Sequence, residues 1–422
     1  MRRTLTVALI LLTVGGCDDG KGEDAAGRAA SSPVSSPSAD TDSGSTTGAP
    51  FEIGSRHATK DAASAREGRE LRGGFVVGGA QAGGRTLNHL GLTPDGQLIS
   101  AANPVPKTGD GELGIGQSRV GLYSGGRTRT LSPAPSGPPR QAIYADADDR
   151  TVAWMETSST DMYQMDWLVY GFDRSSGRSV LLGDSAPIAK GKKMPIPPGS
   201  SMLSVGTDRV YWTTTVPTTG ERDFGAQILA SSPAGGAAPS VVAQRAKLPA
   251  AAGKDLYYVR SEDVAPGFPK SRYEIHKVSG GRDSVYASGP LTGEQQVSAL
   301  TAEPGHVSWI VTGATEETPG TLFVLPSATK RAIEVTLGDN GPAMTLGSSP
   351  KLVCWSNGSG SGDAGQYVLE VATDRMWRLG EAPGLSLAFA GGDFVAWSKL
   401  GSEPQKPEQN SLRVARFVGG KA

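Results

Sequence analysis

One pattern recurs through most of this sequence: a turn-forming group followed by a short apolar run that ends in an aromatic residue. Its first clear copy follows Asp148-Asp149 and reads Thr-Val-Ala-Trp at 151–154. The aromatic residue returns at intervals of 42 to 58 residues, in six copies: Trp154, Trp212, Tyr258, Trp309, Trp355 and Trp397. A period of roughly 40–50 residues is typical of the four-stranded blades of a β-propeller. The repeat therefore predicts an all-β propeller.

The repeats predict seven four-stranded blades over residues 73–419. Each contains an apolar strand, a turn, the strand with the aromatic residue, a variable loop, and two strands joined by a tight turn. Glycine, at 58 of 422 residues, is about twice its usual share of roughly 7%, which fits many turns. The seventh repeat ends one strand short, at Leu412–Phe417. We expect Phe75–Val77 to pair with it, because an open seam exposes strand edges. Six or eight blades remain alternatives.

The N-terminus predicts export and lipid attachment. Basic residues at positions 2 and 3 precede an apolar run over 5–14, which is too short to span a bilayer and typical of a signal peptide. The run ends in Val-Gly-Gly before Cys17, which resembles the lipobox of bacterial lipoproteins. That resemblance implies cleavage after residue 16, lipid attachment at Cys17 and anchoring on the extracytoplasmic face of the cell membrane. An ordinary signal peptide is the alternative, and the export route stays open.

Residues 17–72 are predicted to be a lipidated, disordered tether. The stretch 18–50 contains no aromatic residue and no Leu, Ile or Met, so it cannot bury enough apolar surface to fold. A coil of this kind reaches roughly 30–40 Å. Residues 60–72 are compatible with a short polar helix, but their apolar face is thin, and we assign 51–72 to the tether.

Charge and cysteine content exclude some classes of protein. Lys plus Arg number 41 against 42 Asp plus Glu, and no basic stripe appears, so a nucleic-acid partner is not expected. Only Cys17 and Cys354 are present, and Cys17 is assigned to the lipid, so no disulfide framework is expected. Cys354 is predicted to be a buried apolar residue.

The repeats resemble, in outline, the propeller domains of TolB-like and WD40-like bacterial envelope proteins. The resemblance covers residues 73–419 and rests on the strand plan and the turn-then-aromatic pattern. It implies a propeller held in the cell envelope. The Gly-His and Trp-Asp signature of true WD40 repeats is absent.

No motif in the sequence predicts a catalytic residue, a cofactor or a metal site. The repeated tryptophans are better explained as packing between blades than as sugar-stacking residues. The G-x-G-x-x-G spelling at 109–114 lacks the flanking strand and helix of a dinucleotide site. Asp146, Asp148 and Asp149 are better explained as a turn than as a calcium loop. The four histidines show no metal-binding spacing: His57, His89, His276 and His306.

The sequence favours a membrane-anchored binding or scaffolding module of the cell envelope. The loops between second and third strands are expected to share one face and to dock an envelope protein or a cell-wall ligand there. The alternative is a propeller hydrolase, lyase or oxidoreductase acting on cell-wall sugar or peptide. An enzyme would need ionisable groups converging at the channel mouth, and no blade-equivalent position repeats one. A purely structural wall protein is a third possibility.

Overall fold

The structure is a computed structural model that describes residues 51–81, 85–104, 116–134, 137–159, 166–192, 194–195, 202–217, 224–265, 267–315, 318–338, 345–357, 364–380, 387–399 and 411–419. These residues form seven β-sheets arranged as the blades of a propeller, which confirms the predicted fold class. Within these ranges no helix is long and apolar enough to cross a bilayer.

The strands follow the blade order along the chain. Three strands precede the first blade: β1 (Glu52–Ala58), β2 (Ala63–Ser64) and β3 (Leu71–Gly78), with a 3-10 helix at Thr59–Asp61. Blade 1 contains β4 (Ala80–Gln81), β5 (Arg85–Leu92), β6 (Leu98–Pro104), β7 (Arg119–Ser124) and β8 (Arg127–Thr130). Blade 2 contains β9 (Gln141–Ala147), β10 (Thr151–Thr157), β11 (Leu168–Asp173) and β12 (Arg178–Asp184). A short helix α1 (Ala186–Ala189) follows blade 2.

The remaining blades repeat this plan. Blade 3 contains β13 (Leu203–Val205), β14 (Val210–Pro217), β15 (Phe224–Ser231) and β16 (Ser240–Gln244). Blade 4 contains β17 (Lys247–Ala252), β18 (Asp255–Arg260), β19 (Arg272–Ser279) and β20 (Arg282–Pro290). Blade 5 contains β21 (Val297–Glu303), β22 (His306–Val311), β23 (Thr321–Pro326) and β24 (Arg331–Thr336). Blade 6 contains β25 (Thr345–Ser348), β26 (Leu352–Asn357), β27 (Gly365–Glu370) and β28 (Arg375–Gly380). Blade 7 contains β29 (Ala388–Gly391), β30 (Phe394–Lys399) and β31 (Ser411–Phe417).

The hydrophobic core lies between neighbouring blades. Seven buried clusters each combine residues of two adjacent blades around the ring. The repeated aromatic residues belong to these clusters, and Trp154, Trp212, Trp309 and Trp355 are fully buried. Alternate side chains of a strand point to opposite faces of its sheet, so the second strand of each blade packs against both neighbours. The aromatic repeat therefore marks core positions.

The ring closes where a strand that precedes blade 1 pairs with the last strand of the chain. Strand β3 pairs antiparallel with β31 as the outer strand of blade 7, and Phe75 lies opposite Val414. The predicted pairing of Phe75–Val77 is therefore present. A bulge between Arg72 and Phe75 contains Gly74 at φ +98, where a Cβ atom would lie 1.9 Å from the Val414 carbonyl oxygen. Only glycine allows this close approach of the two backbones.

The predicted linker over 51–72 differs from the structure. Strand β1 pairs in parallel with β24 on the outer edge of blade 5, and β2 pairs in parallel with β28 on blade 6. Phe51 packs edge-on against Trp309 and Phe323, with ring centroids 5.4 and 5.7 Å away. An outer blade edge offers unpaired backbone groups, so a segment with few apolar residues can still join the sheet. Residues 17–50 lie outside the described residues.

Candidate active site in the central channel

The candidate site lies on the innermost strands of the blades. Seven strands surround the propeller axis, each in contact with the next around the ring: β5, β9, β13, β17, β21, β25 and β29. Two of them bring a carboxyl group to the end that leads into their second strand. Asp146 is the next-to-last residue of β9 and Glu303 is the last residue of β21, and both residues are half-buried.

Asp146 is fixed by the neighbouring blade. Its Oδ2 atom accepts a 2.8 Å hydrogen bond from the backbone N–H of Val205 on β13, and the Ser204 hydroxyl also bonds to the carboxylate. Protein groups surround the carboxyl, and this burial raises its pKa to about 6, against the opposing effect of the hydrogen bonds. Asp146 is therefore mostly ionised at neutral pH.

Glu303 is held much less firmly. Among the described residues, its carboxyl group accepts one hydrogen bond, from the Ser348 hydroxyl on β25, at 3.5 Å from Oε1. Burial raises the pKa of Glu303 to about 8, and the negative charge of Asp146 raises it further in the same direction. Glu303 is therefore mostly protonated at neutral pH.

The two carboxyl groups stand on different walls of the channel. Blades 2 and 5 are three places apart in a ring of seven, and among the described contacts no hydrogen bond joins Asp146 to Glu303. The groups are nevertheless close enough for the charge of one to affect the pKa of the other. One ionised and one protonated carboxyl on different walls of the channel can act as a base and an acid on a bond held between them.

The hydrogen bond between Asp146 and Val205 also has a structural role, because it joins two neighbouring inner strands. Strands β13 and β17 are joined by the same kind of bond, in which the Ser204 hydroxyl accepts from the Ala251 N–H at 3.0 Å. The Thr345 hydroxyl likewise accepts a 3.1 Å bond from the Ala388 N–H. Asp146 therefore joins two blades as well as lining the channel. Glu303 makes no such bond to backbone among the described contacts, so ring assembly does not account for it.

The sequence analysis missed this pair because the two residues occupy different positions of the repeat. Asp146 lies opposite Ala153, next to the aromatic position, whereas Glu303 lies opposite His306, three residues before Trp309. A search for ionisable groups at equivalent positions therefore cannot find them. No spacing signal in the sequence connects the two residues.

The other acidic residues singled out in the sequence form a turn, as predicted. The Asp148 carboxylate accepts bonds from the backbone N–H groups of Arg150 and Thr151, at 2.8 and 2.6 Å. Within the described part of the chain, no group of three or more His, Cys, Asp or Glu side chains is arranged to hold a metal ion.

The four histidines occupy separate environments. His57 contacts Asp374 at 2.7 Å, and His89 contacts the Ser100 hydroxyl at 2.7 Å. His276 lies between the carboxylates of Glu274 and Asp283. His306 is fully buried, and burial lowers its pKa to about 4. Burial also raises the pKa of the Cys354 thiol, which keeps it protonated between its apolar neighbours.

Several predicted features lie partly or wholly outside the described residues. These include Cys17, the glycine-rich stretch 109–114 and much of the loops between second and third strands. Those loops begin at the end of the blades opposite to Asp146 and Glu303. The candidate site is therefore on the other side of the propeller from the predicted docking face.

Comparisons with known proteins identify relatives by structure only. No protein-family profile matches the sequence, and no curated protein matches it. A crystal structure of puromycin hydrolase is 14% identical, with a TM-score of 0.44 over 89% of this chain and 57% of that chain. An acylaminoacyl peptidase from Pyrococcus horikoshii is 9% identical, with a TM-score of 0.44 over 75% of this chain and 50% of that chain.

A third structure consists of a propeller alone. The β-propeller domain of the Trilobed protease from Pyrococcus furiosus is 8% identical, with a TM-score of 0.43 over 68% of this chain and 78% of that domain. The chain spans about half the length of the puromycin hydrolase and acylaminoacyl peptidase structures that it matches.

These comparisons correct the main functional prediction. The similar structures are a hydrolase and peptidases, so the prediction of a binding or scaffolding module is wrong by this comparison, and the alternative of a propeller enzyme agrees better. At 8 to 14% identity the similarity itself establishes the fold alone. The chain is a seven-bladed β-propeller.

Proposed function

We propose that this chain is a hydrolase that cleaves glycosidic bonds at the channel end where Asp146 and Glu303 meet. The observation that carries the proposal is the placement of the two carboxyl groups on different inner strands, with separate hydrogen-bond partners and no bond between them. A dyad that shares one proton would need the carboxyl groups in direct contact. Glycosidases instead keep two carboxyl groups apart, with room for the sugar and water between them.

Each carboxyl group has a distinct role in this reaction. The protonated Glu303 gives its proton to the glycosidic oxygen as the bond to the anomeric carbon breaks. The Asp146 carboxylate takes a proton from the attacking water, whose oxygen forms the new bond to that carbon. The leaving sugar thus carries the Glu303 proton, and Asp146 holds the proton lost by water. The bonds from Val205 and Ser204 hold the Asp146 carboxylate in place for this step.

The full-length protein should be tested on chromogenic aryl glycosides and on purified cell-wall glycan, with release of reducing ends as the readout. We expect Glu303→Gln and Asp146→Asn each to lower the rate by at least about 100-fold, the usual contribution of a positioned acid or base. Asp149→Asn is the matched control, because Asp149 is exposed in the neighbouring turn. Full activity in both channel variants would overturn the proposal, as would release of peptides without any cleavage of glycan.

The proposal also includes the location of the enzyme. The lipobox resemblance at Cys17 and the outline resemblance to TolB-like and WD40-like envelope propellers support a lipid-anchored protein on the extracytoplasmic face of the membrane. Cell-wall glycan would be within reach of such a tethered enzyme, which connects the location to the substrate. We expect Cys17→Ser to move the protein out of the membrane fraction and to abolish a diacylglycerol-modified N-terminal peptide in mass spectra. An unmodified Cys17 in the wild-type protein would contradict this part of the proposal.

A further inference from the structure

Next to Glu303, one face of blade 5 contains buried polar atoms that no other described residue satisfies. Within the described part of the chain, neither ring nitrogen of His306 has a hydrogen-bond partner, and the same holds for the hydroxyls of Thr301 and Ser308. Of these residues, His306 and Ser308 are almost completely buried. We call these three residues the blade 5–6 polar cluster.

The strand pairing places this cluster beside the candidate acid. In the antiparallel pair of β21 and β22, Glu303 lies opposite His306 and Thr301 lies opposite Ser308. Residues that face each other in this way have Cβ atoms about 4.5–5.5 Å apart on one face of the sheet. Glu303 with His306 and Thr301 with Ser308 therefore form two neighbouring cross-strand pairs on one face of blade 5.

The core clusters show which way this face points. Val307 and Trp309 pack into the core shared by blades 4 and 5, whereas Ile310 packs into the core shared by blades 5 and 6. Since side chains alternate along a strand, His306 and Ser308 point toward blade 6 with Ile310. The Ser348 hydroxyl bonds to Glu303 from that blade.

Buried polar groups without partners are rare, and each calls for a physical reason. A single unsatisfied hydroxyl is explained by an imperfection of packing, but here two hydroxyls and both nitrogens of one imidazole share a face of blade 5 with the same carboxyl group. Burial keeps His306 neutral, so one ring nitrogen donates and the other accepts. Ordered water is the usual partner of such groups when they are buried.

We propose that the blade 5–6 polar cluster holds a short chain of ordered water molecules, and that this chain returns a proton through His306 to Glu303 after each turnover. The role in turnover rests on the proposed hydrolase function, whereas the water chain does not.

The return of a proton restores Glu303 for the next cleavage. After cleavage, Glu303 is a carboxylate and needs a proton. The N–H of His306 gives its proton, directly or through one water, to this carboxylate, while the other ring nitrogen takes a proton from the next water of the chain. The imidazole ends neutral in its other tautomer, and a ring flip restores it, while Asp146 releases to solvent the proton that it took from the attacking water. The proton comes finally from solvent.

The first test needs no activity. A crystal structure of the full-length protein, at a resolution that reveals ordered water, should show water bonded to a ring nitrogen of His306 and to the Ser308 or Thr301 hydroxyl. The same crystal form of His306→Leu should lose the water at the imidazole position. A dry interface in the wild-type protein, with side-chain contacts satisfying these atoms, would overturn the inference even if glycan cleavage is observed.

The second test separates proton return from structural support. Proton return follows the first irreversible step, so His306→Gln should lower kcat by roughly ten-fold, with a much smaller change in kcat/KM. A high concentration of a small buffer should partly restore kcat. His89→Gln is the matched control, because His89 is a half-buried histidine of blade 1 and bonds to Ser100 of that blade, away from Glu303. An equal loss in kcat and kcat/KM, or an unchanged kcat, would contradict the relay.

The outcomes distinguish the two proposals. If the wild-type protein cleaves no glycan, the hydrolase proposal fails and the relay role fails with it, while the crystal structure still decides whether the cluster binds water. If glycan is cleaved and His306→Gln behaves like the wild-type enzyme, only the relay fails.

Discussion

The Asp146 carboxylate and the backbone N–H of Val205 are joined by a 2.8 Å hydrogen bond between two neighbouring blades. The negative charge of the same carboxylate raises the pKa of Glu303, which stands on another wall of the channel. A candidate base is thus placed by a contact that also contributes to ring assembly, which couples the proposed chemistry to the closure of the fold.

This double role predicts that two substitutions of Asp146 will differ in stability. Asp146→Ala leaves the Val205 N–H without its partner and should lower the free energy of unfolding by about 1–3 kcal/mol. Asp146→Asn keeps an acceptor oxygen and should cost clearly less, although it removes the base. Urea unfolding at pH 7 measures both values. Equal losses in the two variants would show that the bond to Val205 does not hold the blades together.

The activity should depend on pH with a bell-shaped profile. The values of about 6 for Asp146 and about 8 for Glu303 predict an optimum of kcat/KM between these limits, because the base must be ionised and the acid protonated. Since the groups interact, the two limbs describe the pair. With an activated aryl glycoside, which needs little acid assistance, kcat/KM should fall much less on the alkaline side of the optimum. An alkaline limb that is the same for activated and unactivated substrates would argue against Glu303 as the acid.

Stability should also respond to the ionisation of Glu303. Its pKa is raised on folding from 4.5 to about 8, so the folded state retains a proton that the unfolded state releases. The stability from this group is complete below pH 4.5 and is lost as pH rises through 8. Glu303→Gln cannot ionise, so relative to the wild type it should gain on the order of a few kcal/mol between pH 5 and pH 8.5. A free energy of unfolding that changes with pH in the same way for the two proteins across this range would refute the raised pKa.

Ring closure depends on the bulge in β3. Gly74→Ala places a Cβ atom against the Val414 carbonyl oxygen and should destabilise the protein by more than about 2 kcal/mol. Gly78→Ala is the control in the same strand, because no atom lies within 4 Å of its added Cβ, and it should change stability by less than about 0.5 kcal/mol. Thermal unfolding of both variants measures the difference. A similar melting temperature for the two would mean that β3 is not required to hold blade 7.

The outer strand β1 should be attached mainly by Phe51, the residue that precedes it. Phe51→Ala removes the ring contacts with Trp309 and Phe323 and should expose residues 52–58 to proteases at concentrations that spare the blades. Glu52→Ala, which removes only an exposed ion pair to Arg331, should leave cleavage unchanged. Equal cleavage of both variants would show that the backbone pairing with β24 is sufficient.

The sequence by itself determined the propeller, the blade plan and the closing partner of β31. These features depend on local alternation, turn residues and one aromatic position repeated in each blade, such as Trp154 and Trp309. They can be read from the chain because burial between blades demands the same residue types in every repeat. The strand formed by residues 52–58 was missed, since an outer edge recruits it by backbone pairing with little apolar surface.

Only the tertiary structure decided the candidate site. Asp146 and Glu303 are far apart in the chain and occupy different positions of the repeat, so no spacing rule connects them. The charge of Asp146 acts on Glu303 because the ring closes and because both residues lie near the end of an innermost strand, at the same end of the channel. Their shifted pKa values follow from burial and from mutual charge, and both depend on distances that the order of residues does not specify.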